Sequence, residues 1–287
     1  MKSSPLSAAL LLLSAAGLSA QPVASKLTPA SHQATLLTTF VDWDSLPPRT
    51  TPVGLSRAVF DNPTPTLEKF EMHITSLRPG MRSHPVHHHP WEEMLLIKEG
   101  DVEVSINGVK HRAGPGYLIF FASHDPHNLT NVGSTLATYY VINFYTDKVH
   151  RVADKPASEQ NVPGMFASAV IDCDGLKATP TKTGSRVTIV DSPTLTFDRL
   201  GSHITTLNPG QGTAADMVDN GDELFVIRQG EVGVAVNGVA CRMHAGSFFY
   251  CAPNDKRTLR NLGSGPASYQ VIKIISARSP KLPGAAS

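Results

Sequence analysis

An all-β fold is predicted for this chain: an antiparallel barrel or sandwich, built twice in tandem. Three observations predict it. Short apolar stretches alternate with turn residues, and the 22 Gly and 22 Pro leave few long helical patterns. The chain also repeats itself. At an offset of 130 residues, DNPTPTLEKFEMHITSLRPG, beginning at Asp61, matches DSPTLTFDRLGSHITTLNPG, beginning at Asp191, and about 26 of the 70 positions from His73 to Ile142 are identical without a gap. Each copy is too long for a solenoid unit and long enough to hold its own core, so the repeat reads as a duplicated domain.

Residues 1–20 read as a signal peptide, with Lys2 as the positive end, LSAALLLLSAAGL as the apolar run and a small residue, Ala20, at the cleavage point. The run is too short to span a bilayer, so an exported protein, periplasmic or secreted and free of the membrane after cleavage, is expected. Residues 21–60 carry the proline-rich SLPPRTTP and form an N-terminal extension. The first barrel is expected over 61–147, where EMLLIKEG, VEVSING and GYLIFFAS are alternating segments bounded by Gly, Asn-Gly and Pro. The Asn-Gly pairs at 107 and 237 are hairpin signals. A polar stretch, 148–182, reads as the linker, 183–278 as the second barrel and 279–287 as a tail. Three cysteines are too few for a disulfide framework; Cys241 and Cys251 are either bridged across adjacent strands or free.

A formal charge of +1 and the absence of a basic stripe argue against nucleic acid and leave a small-molecule substrate as the expected partner. The exposed faces of such sheets also admit a homodimer.

The chemistry concentrates in SHPVHHHPWEEM, residues 83–94. Side chains on a strand alternate, so His87 and His89 share a face, Glu93 keeps their parity, and His127 follows a later hairpin that opens at Gly116. Three imidazoles and a carboxylate converging from different strands suit one divalent transition metal, Mn²⁺, Fe²⁺, Ni²⁺, Cu²⁺ or Zn²⁺. Trp91 shares the inward parity and is a candidate for the pocket mouth, with core packing as the alternative. Glu92 has the opposite parity and is expected in solvent, though a twist at Pro90 would let it act as an acid or base alongside Glu93. His84 and His124 are rim candidates for touching substrate, and His88 is expected at the surface. Parity does not decide which of Phe120, Phe121, Tyr139 and Tyr140 face inward; Tyr139 is taken as a substrate-binding candidate.

GMRSHPVHHHPWEEMLLIKEG, Gly80 to Gly100, resembles the first cupin motif: a glycine, a His-any-His pair, a glutamate four residues later and a glycine seven beyond. It carries one extra residue between Gly80 and His87. GYLIFFASHDPHNLTN, Gly116 to Asn131, resembles the second motif, with Ala122 and His124 where Pro and Gly are usual. With the repeat, the resemblance is to two-domain bicupins. It implies two double-stranded β-helix, or jelly-roll, barrels, and it implies His87, His89, Glu93 and His127 as metal ligands. The second copy departs from this pattern: Met217, Asp219 and Arg257 stand where the histidines should, and only Glu223 survives. That barrel is read as metal-free, with Arg257 neutralising Glu223 or Asp219, and either structural or able to take an anion.

The resemblance leaves the reaction open. A dioxygenase for a small oxygenated or aromatic substrate is favoured by the aromatic segments near the ligands, with Fe²⁺ or Mn²⁺ as the metal. A redox-neutral decarboxylase or lyase, isomerase or hydrolase of a small acid or sugar is the alternative; an acid substrate would call for a cation in the cavity, for which Arg82 and Arg112 are available. A noncatalytic ligand-binding cupin is the third reading.

Overall fold

The computed structural model describes residues 34–160 and 162–281, so the leader at 1–20 and the end of the tail, 282–287, lie outside the described residues. Strand β1 (Thr39–Val41) is followed by β2 (Arg49–Thr51), β3 (Gly54–Asn62), β4 (Lys69–Leu77), β5 (Glu92–Glu99), β6 (Val102–Ile106), β7 (Val109–Ala113), β8 (Tyr117–Phe121), β9 (His127–Asn131) and β10 (Ala137–Tyr145). The second half repeats the series as β11 (Ala169–Asp172), β12 (Thr179–Thr181), β13 (Gly184–Ser192), β14 (Arg199–Leu207), β15 (Asp222–Gln229), β16 (Glu231–Val236), β17 (Val239–His244), β18 (Phe248–Cys251), β19 (Arg257–Asn261) and β20 (Ala267–Ile275).

Each half is a jelly roll of one seven-stranded and one three-stranded antiparallel sheet. The first pairs the order β11-β8-β5-β10-β4-β3-β2 with β7-β6-β9, the second β1-β18-β15-β20-β14-β13-β12 with β17-β16-β19. The two-residue hairpin turns fall at Asn107-Gly108 and Asn237-Gly238, where all four residues have positive φ of 48–83°. Asn and Gly are the residues that tolerate that conformation, which is why the dipeptide marks the turn.

The strands run past the limits expected from the repeat. β2 and β3 of the N-terminal extension complete the first barrel, and the 148–182 linker supplies β11 to the first sheet and β12 to the second. The leading strands are exchanged. β1 lies before the first repeat yet pairs with β18 of the second barrel, while β11, 130 residues later, pairs with β8 of the first. The extension and the linker are thus the equivalent leading segments of the two repeats.

One apolar cluster fills each barrel, around Leu95, Phe121 and Tyr139 in the first and Phe225, Phe249 and Tyr269 in the second. A third cluster, including Phe70, Phe120, Tyr140, Phe144, Phe248 and Tyr250, joins the backs of the two large sheets. This resolves the aromatic pairs: Phe121 and Tyr139 face the first barrel's interior, Phe120 and Tyr140 the other barrel. Cys173, Cys241 and Cys251 are all free, so the Cys241–Cys251 bridge does not form; β17 and β18 belong to different sheets. Among the described residues no helix is long and apolar enough to cross a membrane.

Candidate metal centre

The first barrel's interior holds a cavity of about 620 Å³ that opens among the histidines of residues 83–89. Backbone pairing places the ligand-bearing segment. His87 donates its N–H to the His127 carbonyl at 3.2 Å and accepts from the His127 N–H at 2.9 Å, which sets the entering chain against β9. His124 has φ of 60°, a left-handed position where the second repeat uses Asn254, and its N–H reaches the His89 carbonyl at 2.8 Å. The left-handed turn therefore helps to hold His89 in register.

His87, His89 and His127 present ring nitrogens all within 4.8 Å of one another, a group that could hold a metal ion. Glu93 completes the ring from the start of β5, with its carboxylate oxygens 3.6 Å from His89 Nε2 and 3.9 Å from His127 Nε2. The rings are oriented from behind. Nδ1 of His89 lies 2.8 Å from the Trp91 carbonyl, Nδ1 of His127 2.8 Å from the Asp125 carbonyl, and Nδ1 of His87 3.3 Å from the His127 carbonyl. A carbonyl only accepts, so each Nδ1 carries a proton and it is Nε2 that is left to bind in the cavity. Nε2 of His89 and of His127 are buried without a hydrogen-bond partner. Two orphaned acceptors beside a carboxylate are costly unless something positive binds them, and the donor set fits a transition metal.

Charge agrees with this. Burial drives His127 down to about 4, against the weaker pull of Glu93, and burial with the neighbouring imidazoles also lowers His87. Burial pushes the Glu93 carboxyl up, but the neighbouring His89 and His127 imidazoles outweigh it and hold Glu93 below the ordinary carboxylate range. His87 and His127 are thereby biased towards the neutral imidazole and Glu93 towards the carboxylate, the protonation states a divalent metal requires.

The other candidates divide. Trp91 lines the cavity, stacked on His89 with ring centroids 4.3 Å apart and tilted against Tyr145 at 4.7 Å. His84 lies edge-on to His87 at 3.8 Å and also lines the cavity, as does Tyr139, whose hydroxyl is kept protonated by burial. His88 is exposed, contacts His124 and borders the same cavity. Glu92 is the correction. It is fully buried rather than solvated, and it points away from the cavity into the joint between the barrels. There it accepts from Thr194 Oγ1 at 2.5 Å, Thr196 Oγ1 at 2.6 Å and the Leu195 N–H at 3.1 Å. Strand alternation that turns Glu93 inward necessarily turns Glu92 towards the second barrel.

Sequence reading missed a polar group on the far wall. Glu71 and His73 on β4 and Asn143 on β10 line the same cavity. His73 Nδ1 donates to Glu71 Oε1 at 2.7 Å and Asn143 Nδ2 to Glu71 Oε2 at 2.7 Å. Burial lowers His73, but Glu71 overcomes it and leaves the imidazole above its ordinary value. The alternation of KFEMHITSL already put Glu71 and His73 on one face; only the barrel shows that the face is the ligand face.

The cupin domain family matches residues 73–143 and again residues 203–273. The chain belongs to the cupin superfamily. Its two matches make it a bicupin, and solved structures agree on the fold. An oxalate decarboxylase studied for its substrate binding mode is 16% identical, with 85% of this chain and 78% of that one aligned at a TM-score of 0.61. Bacillus subtilis oxalate decarboxylase at pH 4.6 is 15% identical over 85% of this chain and 77% of its own, also at 0.61. A further structure of the B. subtilis enzyme, examined for its Mn(II) centres, aligns at 0.60 with 15% identity over 85% and 78%. No curated protein sequence matches the chain.

In the second cupin, Met217 and Arg257 make the same backbone bridge as His87 and His127. The side chains do not form a ligand set. Arg257 Nη2 meets Glu223 at 2.6 Å with both side chains 5% exposed, and Lys273 meets Asp219 at 3.0 Å. Burial drives the Glu223 carboxyl upward, and Arg257 is the group that opposes it.

Proposed function

We propose that this bicupin is a metal-dependent dioxygenase acting on a small oxygenated substrate, aromatic or enolic, in the N-terminal barrel. The observation that carries the proposal is the lining of that cavity. Trp91, Phe121, Tyr139 and Tyr145 join the imidazoles, and neither lysine nor arginine is among the lining residues. A site without a cation suits a neutral ring or enol better than a small dianion.

His87, His89, His127 and Glu93 would hold a redox-active divalent ion, iron or manganese, which would supply the electron exchange that dioxygen needs and a Lewis acid for a substrate oxygen. The aromatic walls orient a planar substrate and exclude water. Across from the ligands, His73 is the proton acceptor: its Nδ1 is committed to Glu71, so Nε2 is the atom that takes the proton of a substrate hydroxyl. Asn143 holds Glu71 in place for that exchange. With residues 1–20 read as a signal peptide, the proposed reaction runs outside the cytoplasm, in the periplasm or the medium.

Redox-neutral decarboxylation is the second reading, favoured by the fold shared with oxalate decarboxylases. The cation it calls for is not in the cavity. Arg82 is exposed and donates to Thr130, and Arg112 lies exposed on β7 near Glu103.

The test is direct. The purified protein's metals are measured by mass spectrometry, and O₂ uptake is followed with catechols and flavonols beside CO₂ release from oxalate and keto acids. O₂ consumed in step with phenol loss supports the dioxygenase. Acid lost with no O₂ consumed overturns it.

A further inference from the structure

The second barrel keeps an interior cavity of about 420 Å³, and its polar lining differs from the first barrel's in a consistent direction. Position by position, at the repeat offset, Ser56 becomes Arg186, Glu71 becomes Gly201 and Asn143 becomes Lys273, while His73 is kept as His203. At these four positions one carboxylate is lost and two cations are gained around a retained histidine; elsewhere in the lining Asp219 replaces His89 and Arg257 replaces His127. The first four residues are neighbours on the sheet. His203 is paired with Thr188 on β13 and Val271 on β20, so Arg186 and Lys273 lie on its two diagonals, within reach of long side chains. Gly201 sits directly opposite Lys273, and the lysine side chain packs over it, 3.6 Å from where a Cβ would stand, where the first barrel has a glutamate side chain.

The cavity's own acids are already taken. Glu223 pairs with Arg257, Asp219 with Lys273 and Asp191 with Arg199, so no lining carboxylate is left for Arg186. The surplus is felt locally, since burial together with Arg186, Lys273 and Arg257 drives His203 down to about 3. A purely structural replacement for a lost metal site needs Arg257 opposite Glu223 and nothing more. Among the described residues Arg186 has no ion-pair partner, and an arginine so placed beside an open volume asks for an anion.

We infer that the cavity of the C-terminal barrel binds a small oxyanion, a carboxylate or phosphate, against His203 and Lys273 with the exposed Arg186 at its open side. This site is independent of the reaction assigned to the first barrel. Isothermal titration of the full-length mature protein at fixed ionic strength, with sodium acetate, sodium oxalate and inorganic phosphate in turn, tests it. Saturable binding of acetate or oxalate identifies a carboxylate site, and binding of phosphate alone identifies a phosphate site. Arg186→Ser, which installs the first repeat's residue without orphaning a carboxylate, is expected to weaken binding about tenfold or more, and Glu93→Gln to leave it unchanged. Should Arg186→Ser fail to fold, Arg186→Gln at the same exposed position gives the same reading. No saturable heat with any of the three anions overturns the inference. So does binding that survives loss of Arg186 but disappears with Glu93→Gln, since the anion then sits in the first barrel.

Discussion

Replacing Glu92 separates the two roles its sequence position allowed, because the structure takes it out of the cavity and gives it three donors from the opposite barrel. Thr194, Thr196 and the Leu195 N–H all converge on one carboxylate with no exposed surface. Hydrogen bonds to a charged group are worth about 1.5–3 kcal/mol each and are not additive, and donors left buried cost about 1–3 kcal/mol. Glu92→Ala is therefore expected to destabilise the protein by about 3–5 kcal/mol, read from denaturant midpoints, with metal content unchanged.

The pH dependence sharpens the test. Burial raises the Glu92 carboxyl from 4.5 to about 7, against the pull of the Thr194 and Thr196 hydrogen bonds. A group whose folded-state value is raised favours the protonated form, so its contribution is complete below pH 4.5 and is lost as pH climbs towards 7. Glu92→Gln mimics that neutral form. The parent should lose up to about 3 kcal/mol relative to Glu92→Gln across the window. A Glu92→Ala protein that stays within 1 kcal/mol of the parent but sheds its metal would refute the reasoning and return Glu92 to the metal site.

Other outcomes follow from the two barrels. His89→Ala or Glu93→Gln should strip the metal, measured by mass spectrometry after dialysis, while Glu223→Gln keeps it. Converting Met217, Asp219 and Arg257 all to His beside Glu223 should raise the content from about one ion per chain to about two. Arg257→Ala orphans a buried carboxylate and is expected to cost about 3–5 kcal/mol, with the metal in place. His73→Gln should lower turnover about a hundredfold at full metal occupancy, as expected for loss of a positioned proton acceptor. Because burial lowers His127 from 6.5 to about 4, metal-free protein should lose stability as pH falls through that window, and bound metal should oppose the loss. Thermal melts between pH 4 and 7, with and without chelator, check this.

Much of the fold was legible because β-strands write their pattern locally. Alternation, Asn-Gly turns and the 130-residue repeat are properties of consecutive residues, and they sufficed for tandem antiparallel barrels and for the parity of His87, His89 and Glu93. The polar wall of Glu71, His73 and Asn143 was not legible, because those residues meet the ligands only once β4 and β10 close the barrel behind them.

The chain by itself determined the duplicated all-β architecture, the loss of the ligand pattern in the second copy and the residues available to bind a metal, since each depends on residue type and spacing alone. Only the tertiary structure decided where Glu92 goes, which barrel receives each leading strand and where the surplus positive charge lies. Those outcomes depend on which surfaces two barrels bury against each other, and burial is a property of segments more than a hundred residues apart.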